Sequence, residues 1–371
     1  MDILPYLKLM AEKGASDLFF STGAPVNIKI EGVSAALNDT SLPPGVVKKL
    51  AYSVISDDQQ KTFEAEMELN LAISVHDIGR FRINLYRQRG EVAMVVRYLK
   101  SHIPSIENLH LPAVLKELIM EPRGLILLVG STGSGKSTTL ASMIDHRNAN
   151  NTGHILTIEE PIEFIHQHKK SIVDQREVGL DTLSYANALK NAMREAPDVI
   201  LIGEIRDRET MQHAIAYAET GHLCLSTLHA NNANQTLDRI INFFPDPMHH
   251  QLLLDLSLNL RAVVSQRLVS GVQGKRVPAV EIMLKSPYIS ELIEKGDIEG
   301  IKDAIGNSTE MGMQSFDQSL YELYSMGKIS MQEALNNADS RNNLMLKFRL
   351  ARGVAGGNST DDLSITEEND R

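Results

Sequence analysis

The first 98 residues contain short apolar runs with a period of two, separated by turn residues. A period of two is the spacing of side chains on one face of a β-strand. In one run, Phe81, Ile83 and Leu85 alternate with Arg80 and Arg82, which places the arginines together on the opposite face. The predicted strands are Asp17–Ser21, Val26–Ile30, Leu71–Val75, Gly79–Tyr86 and Val92–Tyr98, and the predicted helices are Pro44–Ser53 and Asp57–Glu66. We therefore predict a small α/β domain here.

From residue 113 onward, buried strands alternate with amphipathic helices, which is typical of a parallel sheet. Leu125–Val129 is a continuous apolar strand, and a glycine-rich loop and a helix that buries Leu140, Met143 and Ile144 follow it. The further predicted elements are the strands His154–Ile158, Val199–Ile202 and Leu223–Thr227 and the helices Tyr185–Glu195 and Arg208–Thr220. This region is predicted to be a second α/β domain with a core of at least four strands.

Beyond Met248 the pattern is mostly helical, starting with a long amphipathic segment at Gln251–Val264 and continuing to about Phe348. The last residues are rich in Gly, Ser and Thr and then acidic, which predicts disorder. The predicted organisation is a first domain at residues 1–98, a linker at 99–112, a second domain at 113–352 and a disordered acidic tail at 353–371.

The composition narrows the function classes. The chain has 371 residues, 43% of them hydrophobic, and a net charge of −10, which suits a globular protein of two domains. An excess of acid disfavours a nucleic-acid-binding surface, which needs Lys and Arg against phosphate. Cys224 is the only cysteine, so no internal disulfide or four-cysteine zinc site is possible. We expect no signal peptide and no transmembrane segment, and hence a cytoplasmic protein that can attach peripherally to membrane proteins.

A phosphate-binding motif, G-x-x-x-x-G-K-S, lies between the strand Leu125–Val129 and the helix after it. Its glycines let backbone N–H groups curl around phosphate oxygens, and the helix adds its positive N-terminus. Lys136 supplies a cation for the β- and γ-phosphates, and Ser137 supplies a hydroxyl for Mg²⁺. We therefore predict binding of ATP with Mg²⁺. The residues expected to hold the nucleotide are Gly130, Ser131, Thr132, Gly133, Ser134, Gly135, Lys136, Ser137 and Thr138.

Two acidic segments follow predicted strands. Glu204 ends the apolar run Asp198–Glu204, and Glu163 ends the segment Glu159-Glu-Pro-Ile-Glu163. Because open α/β sheets bind ligands at the carboxyl ends of their strands, we expect both segments near the phosphate loop. Glu204 is predicted to hold the Mg²⁺ shell with Ser137, through water, and Glu163 is predicted to be a second active-site carboxylate. For Glu159 and Glu160 an active-site role and a plain surface charge both stay open.

Two histidines bracket the strand Leu223–Thr227. His222 precedes the strand, and His229 follows it at the same edge as the phosphate loop. A histidine at that edge can sense the γ-phosphate or relay subunit contacts, but such a pair is also often structural. The spacing alone does not decide between these interpretations.

Four ordered motifs resemble those of the secretion and type IV pilus motor ATPases. They are Gly130–Ser137, Ile158–Glu163, Val199–Arg206 and Glu219–Ala230, which match the Walker A motif, Asp box, Walker B motif and His box of that family. The resemblance covers almost the whole chain. It implies an α/β protein with a PAS-like N-terminal domain followed by a RecA-like P-loop ATPase domain with a helical C-terminal part.

Within that family the chain resembles the PilT-like retraction branch, since it starts directly with the PAS-like domain and lacks a paired CxxC motif. Gln175–Gly179 also matches that branch, and Met311–Asp317 and the acidic tail resemble its accessory paralogue. The resemblance implies a homohexamer that acts with a PilT retraction ATPase on an inner-membrane, PilC-like platform protein. Alternatives are the primary retraction ATPase itself, an assembly ATPase, a non-catalytic ATP-binding subunit docked on PilT, and, least favoured, a DNA motor.

The resemblance also implies roles for single residues. Glu163 matches the family's candidate base, and His229 and His222 match residues that report the γ-phosphate state. In the hexamer, arginines of one first domain complete a neighbouring site, for which Arg82 and Arg97 are the best matches and Arg80 an alternate; Arg206 and Arg239 are weaker candidates. Glu160 stands where the family usually carries Asp, so a carboxylate is kept on a side chain one methylene longer.

Overall fold

The computed structural model describes residues 2–30, 32–99, 102–308 and 312–355, which form two sheet-centred domains. The first domain contains a six-stranded antiparallel sheet in the order β3-β2-β1-β6-β5-β4. Its strands are β1 (Asp17–Phe20), β2 (Asn27–Ile30), β3 (Val33–Ala36), β4 (Glu68–Val75), β5 (Gly79–Gln88) and β6 (Glu91–Leu99). Its helices are α1 (Leu4–Glu12), α2 (Val46–Tyr52) and α3 (Asp57–Glu66).

The alternation predicted along β5 is confirmed. Phe81, Ile83 and Leu85 are completely buried in the core of the first domain. On the opposite face, Arg82 lies directly across from Arg97 of β6. Like charges at directly opposed positions destabilise a sheet, so each arginine needs a carboxylate partner.

The second domain is built on a seven-stranded sheet in the order β13-β12-β7-β11-β10-β8-β9. Its strands are β7 (Gly124–Val129), β8 (Gly153–Glu159), β9 (Ser171–Glu177), β10 (Val199–Ile202), β11 (Leu223–Leu228), β12 (Leu260–Ser270) and β13 (Arg276–Leu284). Its helices are α4 (Val114–Ile119), α5 (Lys136–Asn150), α6 (Tyr185–Ala192), α7 (Arg208–Glu219), α8 (Ala233–Asn242), α9 (His249–Asn259), α10 (Pro287–Lys295), α11 (Ile298–Asn307), α12 (Phe316–Ser325), α13 (Met331–Asn337) and α14 (Arg341–Ala355), with 3₁₀ turns at Met193–Glu195 and Asp246–Met248.

All strands of this sheet run parallel except β13, which forms an antiparallel hairpin with β12. Helices cover both faces, so β7 is buried along its whole length and its side chains alternate between two apolar cores. This arrangement explains the continuous apolar run in the sequence, since a strand buried on both faces has no polar side. It also brings the carboxyl ends of β7, β8, β10 and β11 to one edge.

The predicted helix at Gln251–Val264 is wrong in its second half. Helix α9 ends at Asn259, and β12 begins at Leu260 and pairs with β7. Leu260 and Val263 face one core while Ala262 and Val264 face the other. A short apolar run of this kind has no period that separates a buried strand from a buried helix.

The sequence analysis also missed α1, α4, α8, β3, β9 and β13. The last three helices pack with β12 and β13 around a core of their own, in which Phe316 and Phe348 are buried. Residues 356–371 of the predicted tail and Met311 of the segment Met311–Asp317 lie outside the described residues. In the described part of the chain, no helix combines the length and the apolar character that crossing a membrane requires.

Candidate active site

The phosphate loop leaves the buried end of β7 and turns directly into α5, whose first residue is Lys136. Two of its glycines are required by space as well as by backbone angle. Gly130 has φ +152°, and a Cβ there would overlap the carbonyl oxygen of Gln266; Gly135 has φ +91°, and its Cβ would lie 2.8 Å from the Gln266 side-chain nitrogen. The loop therefore packs so closely on β12 that side chains are excluded.

Gln266 of β12 holds this loop through two hydrogen bonds. Its Nε2 donates to the Ser134 carbonyl oxygen at 2.8 Å, and its Oε1 accepts from the Thr139 hydroxyl at 2.8 Å. Gln266 is buried, so both bonds lie away from water. The sequence analysis missed this residue, because nothing in the polar run Ser265–Arg267 sets the glutamine apart.

Lys136 lies inside the loop that it serves. Its ammonium donates to the carbonyl oxygens of Gly130 at 2.8 Å and Ser131 at 2.9 Å. Burial lowers the pKa of Lys136, and the carboxylates of Glu204 and Glu163 raise it. The lysine is thus a cation placed between the loop and two acids. Its N–H donors can turn from the loop carbonyl oxygens to phosphate oxygens.

The loop and the acids enclose a cavity of about 200 Å³, which we call the phosphate cleft. Its lining comprises Thr132, Gly133, Lys136, Ser137, Glu159, Glu160, Pro161, Glu163, Tyr185, Gly203, Glu204, Thr227 and His229. Glu204 follows β10 and Glu163 follows β8, and these two strands are hydrogen-bonded neighbours. The structure therefore brings both predicted carboxylates to the phosphate loop, because their strands end at the same edge.

Glu204 is held by two partners. Its Oε2 accepts from Arg206 Nε at 2.8 Å, and its Oε1 lies 3.1 Å from His229 Nε2. Arg206 also donates to Glu160 at 3.1 Å. Glu160 and Glu204 therefore share one arginine as a partner.

Burial disfavours the negative charge of Glu159, which lines the phosphate cleft. Burial raises the pKa of its carboxyl to about 7, the negative charge of Glu163 acts in the same direction, and hydrogen bonds act against it. Those bonds come from the Thr157 hydroxyl at 2.7 Å and the Gln175 amide at 3.3 Å. Glu159 therefore binds and releases its proton near neutral pH.

The two candidate histidines lie at opposite ends of strand β11. His229 lines the phosphate cleft. His222 precedes β11, where its carbonyl oxygen accepts from Gly124 N and its Nδ1 lies 3.1 Å from the Thr220 hydroxyl. Six strand residues separate the histidines, a distance of about 20 Å. The structure does not bring His222 to the phosphate cleft.

The candidate arginines of the first domain also lie outside the phosphate cleft of this chain, whereas Arg239 lines a neighbouring cavity with Gly130, Ser131 and His229. Arg82 forms an ion pair with Glu177 of β9, a buried residue of the second domain. Arg97 pairs with Asp17 on the adjacent strand at 2.8 Å, and 58% of its side chain stays exposed. Among the three, Arg80 has a buried Nε without a hydrogen-bond partner.

A second cavity, of about 480 Å³, lies on the other side of the phosphate loop. Thr138 and Gly135 line it together with Leu268 of β12 and Arg276 of β13. Ser137 faces the phosphate cleft and Thr138 faces this cavity, since consecutive helical residues point about 100° apart. The loop thus separates a charged cavity from a roomier, more apolar one.

The ligands that the fold implies fit these residues. The Ser137 hydroxyl and the Glu204 carboxylate are oxygen donors on the same cleft as Lys136. Mg²⁺ typically takes one or two protein oxygens and completes its shell with water and substrate phosphates. The start of α5 supplies unpaired N–H groups for a phosphate.

Comparison with known proteins agrees with this geometry. Residues 3–338 match the family described as type II/IV secretion system protein. The chain is 52% identical to the type IV pilus ATPase PilU of Pseudomonas aeruginosa over 94% of this chain and 92% of that protein. It is 42% identical to the type IV pilus retraction ATPase PilT of the same organism over 91% of this chain and 98% of that protein.

A solved structure of the pilus retraction motor PilT with bound ADP superimposes with a TM-score of 0.86. It shares 42% identity and covers 93% of this chain and 99% of that one, so the predicted fold class is confirmed. The predicted resemblance to the accessory paralogue of the retraction branch is confirmed as well. The chain belongs to the type II/IV secretion system protein family and is a PilU-like type IV pilus ATPase related to the PilT retraction motor.

Proposed function

We propose that this chain is a Mg²⁺-dependent ATPase motor that forms a homohexamer and drives or assists pilus retraction together with a PilT ATPase. The observation that carries the proposal is the phosphate cleft, where Lys136, Ser137, Glu163, Glu204 and His229 line one cavity. These residues supply a cation, a hydroxyl, two carboxylates and an imidazole, the groups that phosphoryl transfer to water needs.

Each side chain has a distinct task in this proposal. Lys136 exchanges its bonds to loop carbonyl oxygens for bonds to the β- and γ-phosphates. Ser137 and Glu204 hold the Mg²⁺ shell, and that ion neutralises charge on the phosphates. Glu163 accepts a proton from the water that attacks the γ-phosphorus and becomes a carboxylic acid. The bond from that phosphorus to the β–γ bridging oxygen breaks, so ADP leaves and inorganic phosphate is released.

His229 and Arg206 connect the cleft to its surroundings. Both contact the Glu204 carboxylate, so a change in the ligands of Glu204 alters their hydrogen bonds. This contact supports a role for His229 in reporting the γ-phosphate state. His222, at the other edge, suits a contact with a neighbouring subunit rather than with the nucleotide of its own subunit.

The hexamer places each nucleotide at a seam between subunits. Arg97 supports this arrangement because it is largely exposed and lies beside Arg82 on the face of the first-domain sheet opposite the core. Arginines on that face can reach a nucleotide held by the next subunit. Work is passed to a PilC-like platform protein of the inner membrane, which places the motor at the cytoplasmic side of the pilus machine. The domain boundaries 1–98 and 113–352, with the linker 99–112 between them, define the bodies that move.

The chemical test compares the purified wild type with Lys136→Ala and Glu163→Gln. We expect Lys136→Ala to lose binding of a fluorescent ATP analogue. Glu163→Gln should keep that binding while kcat falls by about 10²- to 10⁴-fold, since only the base is removed. Glu209→Gln, an exposed acid of α7, is the control. Undiminished turnover in Glu163→Gln contradicts the proposed base.

A second test separates the retraction motor from its alternatives. Turnover is measured for the chain alone and mixed with PilT, and retraction is measured in cells that lack either protein. No turnover under either condition indicates a non-catalytic coupling subunit. Loss of pili in deletion cells indicates an assembly ATPase, and excess pili that do not retract indicate the primary retraction ATPase. We expect turnover in vitro and impaired retraction in cells that keep their pili.

A further inference from the structure

The loop that carries Glu163 is anchored on both sides of that residue by strand β9. On the C-terminal side, Gln175 donates to the Phe164 carbonyl oxygen at 2.9 Å and accepts from His166 N at 2.8 Å. On the N-terminal side, Glu177 Oε2 accepts from Ile162 N at 3.3 Å. Glu163 itself is exposed, so these anchors on its neighbours set the position of its backbone.

Glu177 has a second partner in the other domain. Its Oε1 forms the ion pair with Arg82 of β5, while its Oε2 holds Ile162 N. Only 4% of the Glu177 side chain is exposed, against 20% for Arg82. One buried carboxylate therefore connects an arginine of the first domain to the residue just before Glu163.

In the described part of the chain, the Arg82–Glu177 ion pair is the polar side-chain contact between the two domains. Among the residues that the structure describes, no other side-chain hydrogen bond or ion pair joins residues 2–99 to residues 102–355. The hydrophobic cores of the two domains likewise draw on separate residues. The polar connection between the domains thus ends on the group that holds the Glu163 loop.

We propose that Glu177 is a positioning residue that couples the orientation of the first domain to the geometry of Glu163. With Arg82 in place, the Glu177 carboxylate is neutralised and its second oxygen stays on Ile162 N. When the first domain moves and withdraws Arg82, a buried carboxylate loses its cation, which is strongly unfavourable without rearrangement. The loop then shifts and Glu163 leaves its working position.

The same contact restricts Arg82. A guanidinium held on Glu177 of its own subunit is not available to a nucleotide at a neighbouring seam. The two uses of Arg82 therefore exclude each other at any moment, and a domain movement exchanges them. The inference rests on the proposed function, because it assumes that Glu163 is the base.

The test compares Glu177→Gln with a matched control in the full chain. Glutamine keeps the size of the side chain but removes the charge that holds Arg82, so the first domain no longer fixes the side chain that accepts from Ile162 N. Glu195→Gln is the control, since Glu195 pairs with Arg176, the neighbouring residue of β9, at 2.7 Å. We expect kcat of Glu177→Gln to fall by about tenfold to a hundredfold with unchanged affinity for a fluorescent ATP analogue. Glu195→Gln should stay within about twofold of the wild type.

A double-mutant cycle tests whether Arg82 acts through Glu177. If it does, the effects of Arg82→Gln and Glu177→Gln on kcat do not multiply, and the double variant keeps a higher kcat than the product of the two single effects gives. Multiplied effects of the two substitutions overturn the coupling. So does a kcat of Glu177→Gln equal to that of the wild type. If Glu163→Gln shows normal turnover, the proposed base fails instead, so the two failures are told apart.

A spectroscopic readout follows the loop itself. The chain has no tryptophan, so Phe164→Trp introduces a single indole next to Glu163. We expect its emission to shift to longer wavelength with Glu177→Gln, because the loosened loop exposes the indole, and not with Glu195→Gln. Arg82→Gln serves as a second route to the same shift should Glu177→Gln fold poorly by thermal melting. Identical spectra in all variants overturn the inference.

Discussion

Replacing Glu159 by glutamine should change how the stability of the folded chain depends on pH, because the wild-type carboxyl group has a raised pKa. The pKa of Glu159 is raised from its ordinary value of 4.5 to about 7, chiefly by burial of the carboxyl group. The folded state therefore binds the proton more tightly than the unfolded state. The stability that this proton contributes is complete below the unfolded pKa and is lost as the pH rises through the folded pKa.

The magnitude follows from the size of the rise. A rise from 4.5 to about 7 corresponds to roughly 3 kcal/mol of stability, most of it lost between about pH 5 and about pH 8. Glu159→Gln is neutral at every pH and keeps an oxygen that accepts from Thr157 and Gln175. Relative to the wild type, the variant should gain about 2–3 kcal/mol over that pH interval.

The assay is urea unfolding of nucleotide-free protein, followed by circular dichroism at a series of pH values. Glu209→Gln is the control, because it makes the same replacement at an exposed acid of α7. Stability curves of Glu159→Gln and the wild type that run parallel across this range would refute the raised pKa of Glu159.

Two further predictions concern the support of the phosphate loop. Gly130→Ala should abolish binding of a fluorescent ATP analogue without unfolding the chain, because its Cβ displaces the loop from Gln266; wild-type affinity contradicts this packing. Gln266→Leu should lower the free energy of unfolding by about 2–3 kcal/mol, since the Ser134 carbonyl and the Thr139 hydroxyl lose their buried partner. Gln266→Leu should also weaken nucleotide binding. Equal urea midpoints for the variant and the wild type contradict the support of the loop by Gln266.

The sequence by itself determined the features that depend on local pattern. The alternation along β5, the buried strand β7 and the glycine-rich loop were predicted at nearly their observed positions. Glu163 and Glu204 were assigned to one edge because they follow strands of a parallel sheet. Such features are readable because a period of two, an apolar run and a loop motif depend on neighbouring residues only.

Only the tertiary structure decided the contacts between distant parts of the chain. Gln266 lies 132 residues from Ser134, and Glu177 lies 95 residues from Arg82. Neither pairing leaves a local trace, and the strand that carries Gln266 has the apolar pattern of a buried helix. Side chains that hold the loops of this ATPase in place are fixed by packing across the sheet, which no periodicity along the chain encodes.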